Sequence, residues 1–531
     1  MKKNTLLLLI LLYWSSIHAA TGWYQDYVLF SINNGSNAYY WIGDNPSFGT
    51  QLDGNNFGTI STLRITGCDM KYWGTNADRT GGAFYYKIMD ASNSTQIVAP
   101  TEILWNQNSI GGNDFQGTSS NAVDLLSNLT PGTTYKLHIW AKSWGSSQGD
   151  SWLSNGSNNY IATFTTPAYF KSYNTGNWAT ASTWYSSNDG TNNWLQSSIV
   201  PNSSGSLVTI QTGHEVTITA NATAPGIAVQ AGGKLTLNSG YTLSATNLTL
   251  QSDATNGTAT FVDADATGKT VTGTIQQYLP TGRNWYVGIP IANGDNSTTA
   301  SSLTAGGATS VSYWDEPTGA WVNDYAGSLT KGHGYIAVSG SGSATNNISF
   351  TGTFNTGSVP VTVTRTVGAT KEGFNLIANP YPSYLNPCDL ITASSKMEPT
   401  IWYRTKGAAY SFETVNTASG EGTNGVTGYI PPMQAFWVRV KANATDAAQN
   451  NSETLTFTNA MRYHANPSGV TTTVLKAPKS TQNMLLRLQV SNGVNADEAI
   501  IYANTNASNA YDAYDSHKMS NNSALIPEIY T

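Results

Sequence analysis

The chain has 531 residues, enough at roughly 150 residues per domain for three or four domains, which excludes one compact core. Only 11% of the residues are charged, against about 25% in ordinary soluble proteins, while Gly (50), Tyr (29) and Trp (16) are abundant; disorder is excluded by that aromatic load. The net charge of -6 is spread without basic blocks, so the footprint that phosphate neutralisation requires is missing, and the composition points to β-rich modules outside the cytoplasm.

The first twenty residues run from Lys2-Lys3 through the apolar stretch Leu6 to Tyr13 to the small pair Ala19-Ala20. That is the charge, core and exit of a signal peptide, expected at 1–20. The stretch is well short of the 18 or more apolar residues that span a bilayer, and no later segment approaches that length, so no membrane span is expected. No Cys lies near the cleavage region to carry a lipid. Cys68 and Cys388, the only two cysteines, are expected to be small buried apolar residues, with a disulfide open only if their modules meet.

The predicted fold class is all-β. Residues 21–167 alternate as half-buried strands do, in Leu63-Arg64-Ile65-Thr66, Ala83 to Ile88, Tyr135 to Trp140 and Tyr160 to Phe164, with Gly, Asn and Ser turns between them. A fibronectin- or immunoglobulin-like β-sandwich is the expected packing, and Leu129-Thr130-Pro131-Gly132-Thr133-Thr134-Tyr135 resembles the corner before a late strand of fibronectin type III domains. Over 168–278 the pattern changes to short apolar triplets such as Val216-Thr217-Ile218 and Leu235-Thr236-Leu237, recurring every eight to thirteen residues. Such units bury their apolar faces by stacking, which predicts a short β-solenoid; an antiparallel sandwich with tight hairpins stays open, because spacing does not distinguish parallel from antiparallel strands.

A weak duplication follows. Arg283 to Pro290 parallels Gly373 to Pro380, and Gly334 to Val338 parallels Ala435 to Val440. Two similar β-rich halves are expected, at 279–365 and 366–466. Residues 467–531 begin a further β-domain with Met484 to Val490 and Glu498 to Tyr502, and its ending reads as truncated.

Several segments carry a resemblance. Gly176-Asn177-Trp178, Thr183-Trp184, Gly213 to Ile218, Asn379-Pro380-Tyr381-Pro382-Ser383, Gly428 to Val438 and Asp512 to Met519 are similar to segments of large secreted surface proteins of Bacteroidota. The likeness covers roughly 170–531. It implies export by a signal peptide and then by the type IX secretion system, which acts on a C-terminal sorting domain. No sorting domain is recognised in this sequence, and the resemblance brings no catalytic residues with it.

For chemistry, polysaccharide hydrolysis needs two carboxylates about 5–10 Å apart. The local candidates are Asp315-Glu316, Asp69, and Glu413 with Glu421, each weighed against a solvated loop position; adjacent strand residues such as Asp315 and Glu316 point to opposite faces. Gly340-Ser341-Gly342-Ser343 lacks the strand-to-helix setting of a nucleophile elbow and reads as a linker. His138, His214, His333, His464 and His517 stand singly, without metal-ligand spacing; His138 is expected to be an exposed strand residue. No cofactor is expected, with one structural calcium candidate at Asp263 and Asp265, where Asp-Ala-Asp-Ala-Thr-Gly imitates a calcium loop but Thr274 replaces its closing acid.

Aromatics interleaved with amides are the remaining constellation. Tyr40, Trp41, Trp73, Trp144 and Trp152 are the glycan-binding candidates, since flat rings stack on sugar C–H faces while amides bond hydroxyls; sandwich packing is the competing explanation, and Trp140 fits it equally. The resulting expectation is a secreted or surface-exposed, non-enzymatic adhesin or structural spacer. Its partners would be glycans, other surface or matrix components and the secretion machinery, with nucleic acid excluded. A carbohydrate-binding accessory protein is the alternative, followed by a polysaccharide lyase or hydrolase acting through the solenoid, where Lys234 and His214 are the main candidate groups.

Overall fold

The computed structural model describes residues 21–43, 46–279, 284–292, 308–339, 347–406, 410–464, 485–521 and 524–530. Residues 1–20, where a signal peptide is expected, and Gly340 to Ser343 lie outside the described residues. The chain forms two compact units: one holds the residues up to Tyr173 together with Thr180–Leu207, the other Asn174–Ala179 together with the residues from Val208 on.

The fold is all-β, as the alternation predicted. In chain order the first unit opens with β1 (Thr21–Ile32), β2 (Ala38–Ile42), β3 (Thr50–Gln51), β4 (Asn56–Thr59) and β5 (Leu63–Gly74). It continues with β6 (Gly81–Asp90), β7 (Gln96–Leu104), β8 (Asn106–Gly111), β9 (Asp114–Ser119) and β10 (Val123–Asp124). The last three strands of the sandwich are β11 (Thr134–Trp144), β12 (Ser151–Leu153) and β13 (Tyr160–Thr165). One sheet has the order β3-β2-β1-β5-β9-β8, with β10 on β5; the other is β4-β13-β11-β6-β7, with β12 on β11. Side chains of alternate positions meet between them: Val28, Phe30, Ile65 and Met70 from the first sheet, Phe84, Ile88, Leu137 and Phe164 from the second, all buried.

Trp105 closes this core. Its indole donates to the Tyr72 hydroxyl at 3.0 Å, which donates in turn to Gln107 at 2.6 Å, so both polar groups are satisfied where they are buried. The ring lies against two glycines, and a Cβ on Gly82 would stand 2.1 Å from it and 2.5 Å from the Lys142 carbonyl oxygen. Gly82→Ala is therefore expected to destabilise the first unit by about 1–3 kcal/mol through overpacking, read as a lowered thermal midpoint. An unchanged midpoint would contradict this account of the indole's seat.

Tyr169–Ser172 pairs antiparallel with Trp184–Ser187, and the latter with Leu195–Gln196, inside the first unit. A coiled segment has its first parallel strand at Gly176–Asn177. Two parallel ladders build it in the second unit. One runs Gly176–Asn177, Glu215–Ile218, Lys234–Leu237, Thr260–Asp263; the other runs Gly226–Val229, Asn247–Leu250, Thr272–Tyr278. The parallel orientation, left open by the spacing, follows from stacking: Val216, Leu235 and Phe261 lie in register with Ile218, Leu237 and Asp263 beyond them, and the apolar members fill one interior.

The duplication appears as repeated topology. The first copy has the sheet order Asn284–Val287, Tyr335–Ser339, Ala308–Asp315, Ala320–Val322; the second has Phe374–Ala378, Ala435–Arg439, Thr400–Lys406, Tyr410–Asn416. Both read first, fourth, second, third strand. Each is preceded by a strand that pairs antiparallel with the closing one: Thr272–Tyr278 with Asn347–Thr353, and Val359–Arg365 with Asn451–Phe457. Thr272–Tyr278 thereby pairs both within the parallel ladder and with the closing strand of the first copy. A short helix, Cys388–Ala393, follows the first sheet strand of the second copy.

The described C-terminal residues belong to the second unit. The strands Leu485–Ser491 and Ala496–Tyr502 form a hairpin, and Arg487 ties it to Glu421 at 2.9 Å and to the Gly422 carbonyl at 3.0 Å. The later residues run over the second copy, where the Trp402 indole donates to the His517 carbonyl at 2.8 Å and Asn416 donates to the Ala513 and Asp515 carbonyls. Among the described residues no helix is long and apolar enough to cross a membrane.

Candidate functional site

The five aromatic candidates fall on two sheets. Tyr40, on β2, packs edge-on to Phe30 at 5.4 Å and to Phe57 at 5.3 Å. Trp41, beside it, is half-buried opposite Tyr27 on β1. Trp73, on β5, lies over Gly22, where a Cβ would stand 2.4 Å from the indole nitrogen. Tyr40 thus packs on rings from both sheets, and Trp73 packs β5 against β1.

Trp144 and Trp152 lie on the second sheet, and the register there gathers further aromatics. Along β11 the residues Tyr135, Leu137, Ile139 and Ala141 point inward and are buried, so Trp140, Lys142 and Trp144 share the outer face. Trp140 stands opposite Tyr85 on β6, and the two rings stack at 5.5 Å with 9° between their planes. Lys142 stands opposite Trp152 on β12; its ammonium sits 4.7 Å from the indole centre and 2.6 Å from Asp150. Trp152 is 56% exposed, and Leu104, opposite Ala83 on the far side, is 55% exposed.

The polar groups of this face are held in place. The Tyr85 hydroxyl donates to Glu102, and burial, followed by that acceptor's charge, pushes its pKa up. Lys142 holds the Asp150 carboxyl below the usual range. The loop leading into β12 is anchored by Asp78, whose carboxylate accepts the backbone N–H groups of Ser146, Ser147 and Gln148; hydrogen bonds from Ser146 and Gln148 hold its pKa far below the usual value. Arg79 braces the same loop by donating to the Gly149 carbonyl at 3.0 Å. Trp152 and Asp150 are thereby presented from a fixed turn.

Tyr85 and Lys142 were not singled out by sequence. Each sits on an alternating strand with an outward side chain, but the cross-strand partners that turn isolated rings into a row depend on register. His138 departs from its expected exposure. It is buried, its Nε2 2.6 Å from the Asn93 amide oxygen, because the 91–95 turn folds over it; burial, with Lys87 and Lys136 nearby, pushes its pKa down to about 4.

The other candidate residues are committed elsewhere. Glu316 is buried and accepts from the Thr366 and Gly373 amides and from two threonine hydroxyls, while Asp315 turns away to Thr318. Glu413 accepts from Thr423 and Asn424, and Asp69 from Gln116. The calcium candidates accept protein donors: Asp263 takes the amides of Asp265 and Lys269 and the Thr356 hydroxyl, and Asp265 takes Thr267 and the Lys269 ammonium at 3.1 Å. Among the described residues no three His, Cys, Asp or Glu side chains converge as a metal site. Cys68 and Cys388 are both free and buried.

The segments carrying the family resemblance are structural. Asn379 is fully buried and donates to the Ser383, Ile430 and Pro431 carbonyls, tying the Asn379 to Ser383 turn to the Gly428 to Val438 segment. Trp178 and Trp184 are core residues.

No curated protein matches the chain. A family match begins where the parallel ladders begin and runs through the duplicated sheets, leaving the aromatic face of the first unit before it. Residues 177–530, about two thirds of the sequence, match DUF8693, described as a domain of unknown function, and the chain belongs to that family.

Proposed function

We propose that this chain is an exported, non-enzymatic surface protein, with a first unit that binds glycan on the outer face of its second sheet and a second unit that acts as a rigid spacer. The observation that carries the binding reading is the Trp140–Tyr85 stack at 5.5 Å beside the exposed Trp152. The exposed Trp152 indole offers a stacking surface to a sugar ring, the Trp140–Tyr85 pair adds apolar area on the same face, and the Lys142–Asp150 pair and Glu102 supply hydrogen-bonding groups along it. Export rests on the pattern of the first twenty residues, and the spacer role on the stacked coils and repeated sheets.

A glycan array probed with the full chain tests the binding reading. At least one polysaccharide is expected to give a signal that falls roughly 30-fold in affinity, about 2 kcal/mol, in Trp152→Ala or Trp140→Ala and stays unchanged in Trp73→Ala. A signal indifferent to Trp152 and Trp140, or none from any glycan, would overturn it.

A further inference from the structure

A cavity of about 500 Å³ opens in the second unit, where the end of the strand Tyr410–Asn416 and the turn after it meet the hairpin and the residues 508–530. That volume falls within the roughly 300–1,000 Å³ of small-molecule sites. Three carboxylates line it, Glu421, Glu498 and Asp515; Asp515 accepts the Asp512 amide, while Glu421 and Glu498 are both bound to one guanidinium, Arg487 reaching Glu421 Oε2 at 2.9 Å and Glu498 Oε2 at 2.8 Å. The hydrogen bonds of both glutamates fall on Oε2, and each Oε1 has no hydrogen-bond partner among the described residues, so two acceptors remain for a ligand.

Aromatic rings border the same space. Tyr511, Tyr514 and Tyr530 line it, and Tyr511 and Tyr530 are 52% and 75% exposed, an exposure that core packing does not require. Tyr511 is held in orientation by His517, with its hydroxyl 2.7 Å from Nδ1 and the ring centres 4.5 Å apart. The cations of the site are already paired: Arg487 bridges two acids, and Lys518 grips Asp497 at 2.5 Å. Three carboxylates against one guanidinium repel an anionic ligand. A neutral polyhydroxylated ring satisfies every feature, stacking its C–H face on tyrosine and donating hydroxyls to the carboxylates.

We propose that this cavity binds a neutral hexose residue, free or at the end of a glycan. The site is independent of the aromatic sheet face of the first unit. The test is calorimetric titration of the full chain carrying Trp152→Ala with methyl glucoside, methyl galactoside, methyl mannoside and N-acetylglucosamine. At least one is expected to bind, with its affinity falling about tenfold or more on adding Tyr530→Ala and, separately, Glu421→Gln. Tyr530 is exposed enough for its removal to leave the fold intact, which an unchanged thermal midpoint checks. Flat titrations for all four sugars, or an affinity unmoved by either substitution, overturn the proposal.

Discussion

Arg462→Met should lower the stability of the second unit by about 3–5 kcal/mol, read from the urea midpoint of the full chain. Arg462 is buried between the parallel ladder and the second copy. Its guanidinium donates to the Phe261 carbonyl at 2.7 Å, to Asn459 Oδ1 at 3.1 Å and to Ser383 Oγ at 3.2 Å, and it lies over the Tyr381 ring at 4.9 Å. Burial pushes its pKa down to about 10, opposed by the nearby charge of Asp263. Methionine keeps most of the stem's volume but removes all the donors, leaving the Phe261 carbonyl and the Ser383 hydroxyl short of partners and Asp263 without its countercharge. Lys234→Met is the control: its pair with Glu215, at 3.9 Å and about one third exposed, should contribute no more than about 1 kcal/mol. Equal effects from the two substitutions would refute the account of Arg462 as a joint.

Stability should also fall with acid at that joint, through His464. Its ring sits between two threonines, Nε2 2.6 Å from Thr236 Oγ1 and Nδ1 2.8 Å from Thr260 Oγ1, an arrangement suited to neutral imidazole. Burial, with Lys234 and Arg462 beside it, pushes its pKa down to about 3. The folded value lies below the unfolded value of about 6.5, so the unfolded chain takes the proton first. The contribution is whole above about pH 6.5 and is lost as the pH falls toward 3, at up to about 1.4 kcal/mol per pH unit. His464→Gln offers hydrogen bonds to both threonines without titrating. Its urea midpoint should therefore fall less steeply than that of the parent between about pH 6 and 4. Parallel curves for the two proteins would exclude His464 as the source.

The same joint explains why Asp263 and Asp265 resemble a calcium loop in sequence. Alternating acids before a glycine also suit a turn in which each carboxylate accepts amides two or more residues ahead, and here Asp263 accepts the Asp265 and Lys269 amides. Which donors fill a carboxylate is decided by neighbours distant in the chain: the Thr356 hydroxyl reaches Asp263 from the first copy's end, and Asn459 donates to the Asp265 carbonyl from beyond the second.

Local pattern determined a good deal. Alternation in Ala83 to Ile88 and Tyr135 to Trp140 marked strands with one buried face, because a pleated strand turns successive side chains to opposite sides. The offset similarity of Gly373 to Pro380 with Arg283 to Pro290 marked a duplication, because repeated topology keeps the same apolar positions inward. Tertiary structure alone decided the parallel pairing of the ladders, the sharing of Thr272–Tyr278, and the burial of His138 beneath the 91–95 turn. It also decided which tryptophans hold sheets together and which stand outside. Trp73 and Trp152 are the same residue type in similar polar surroundings, yet one covers Gly22 and the other faces solvent beside Lys142. That difference arises from register between strands far apart in sequence, and pairing energy depends on the partner as much as on the residue.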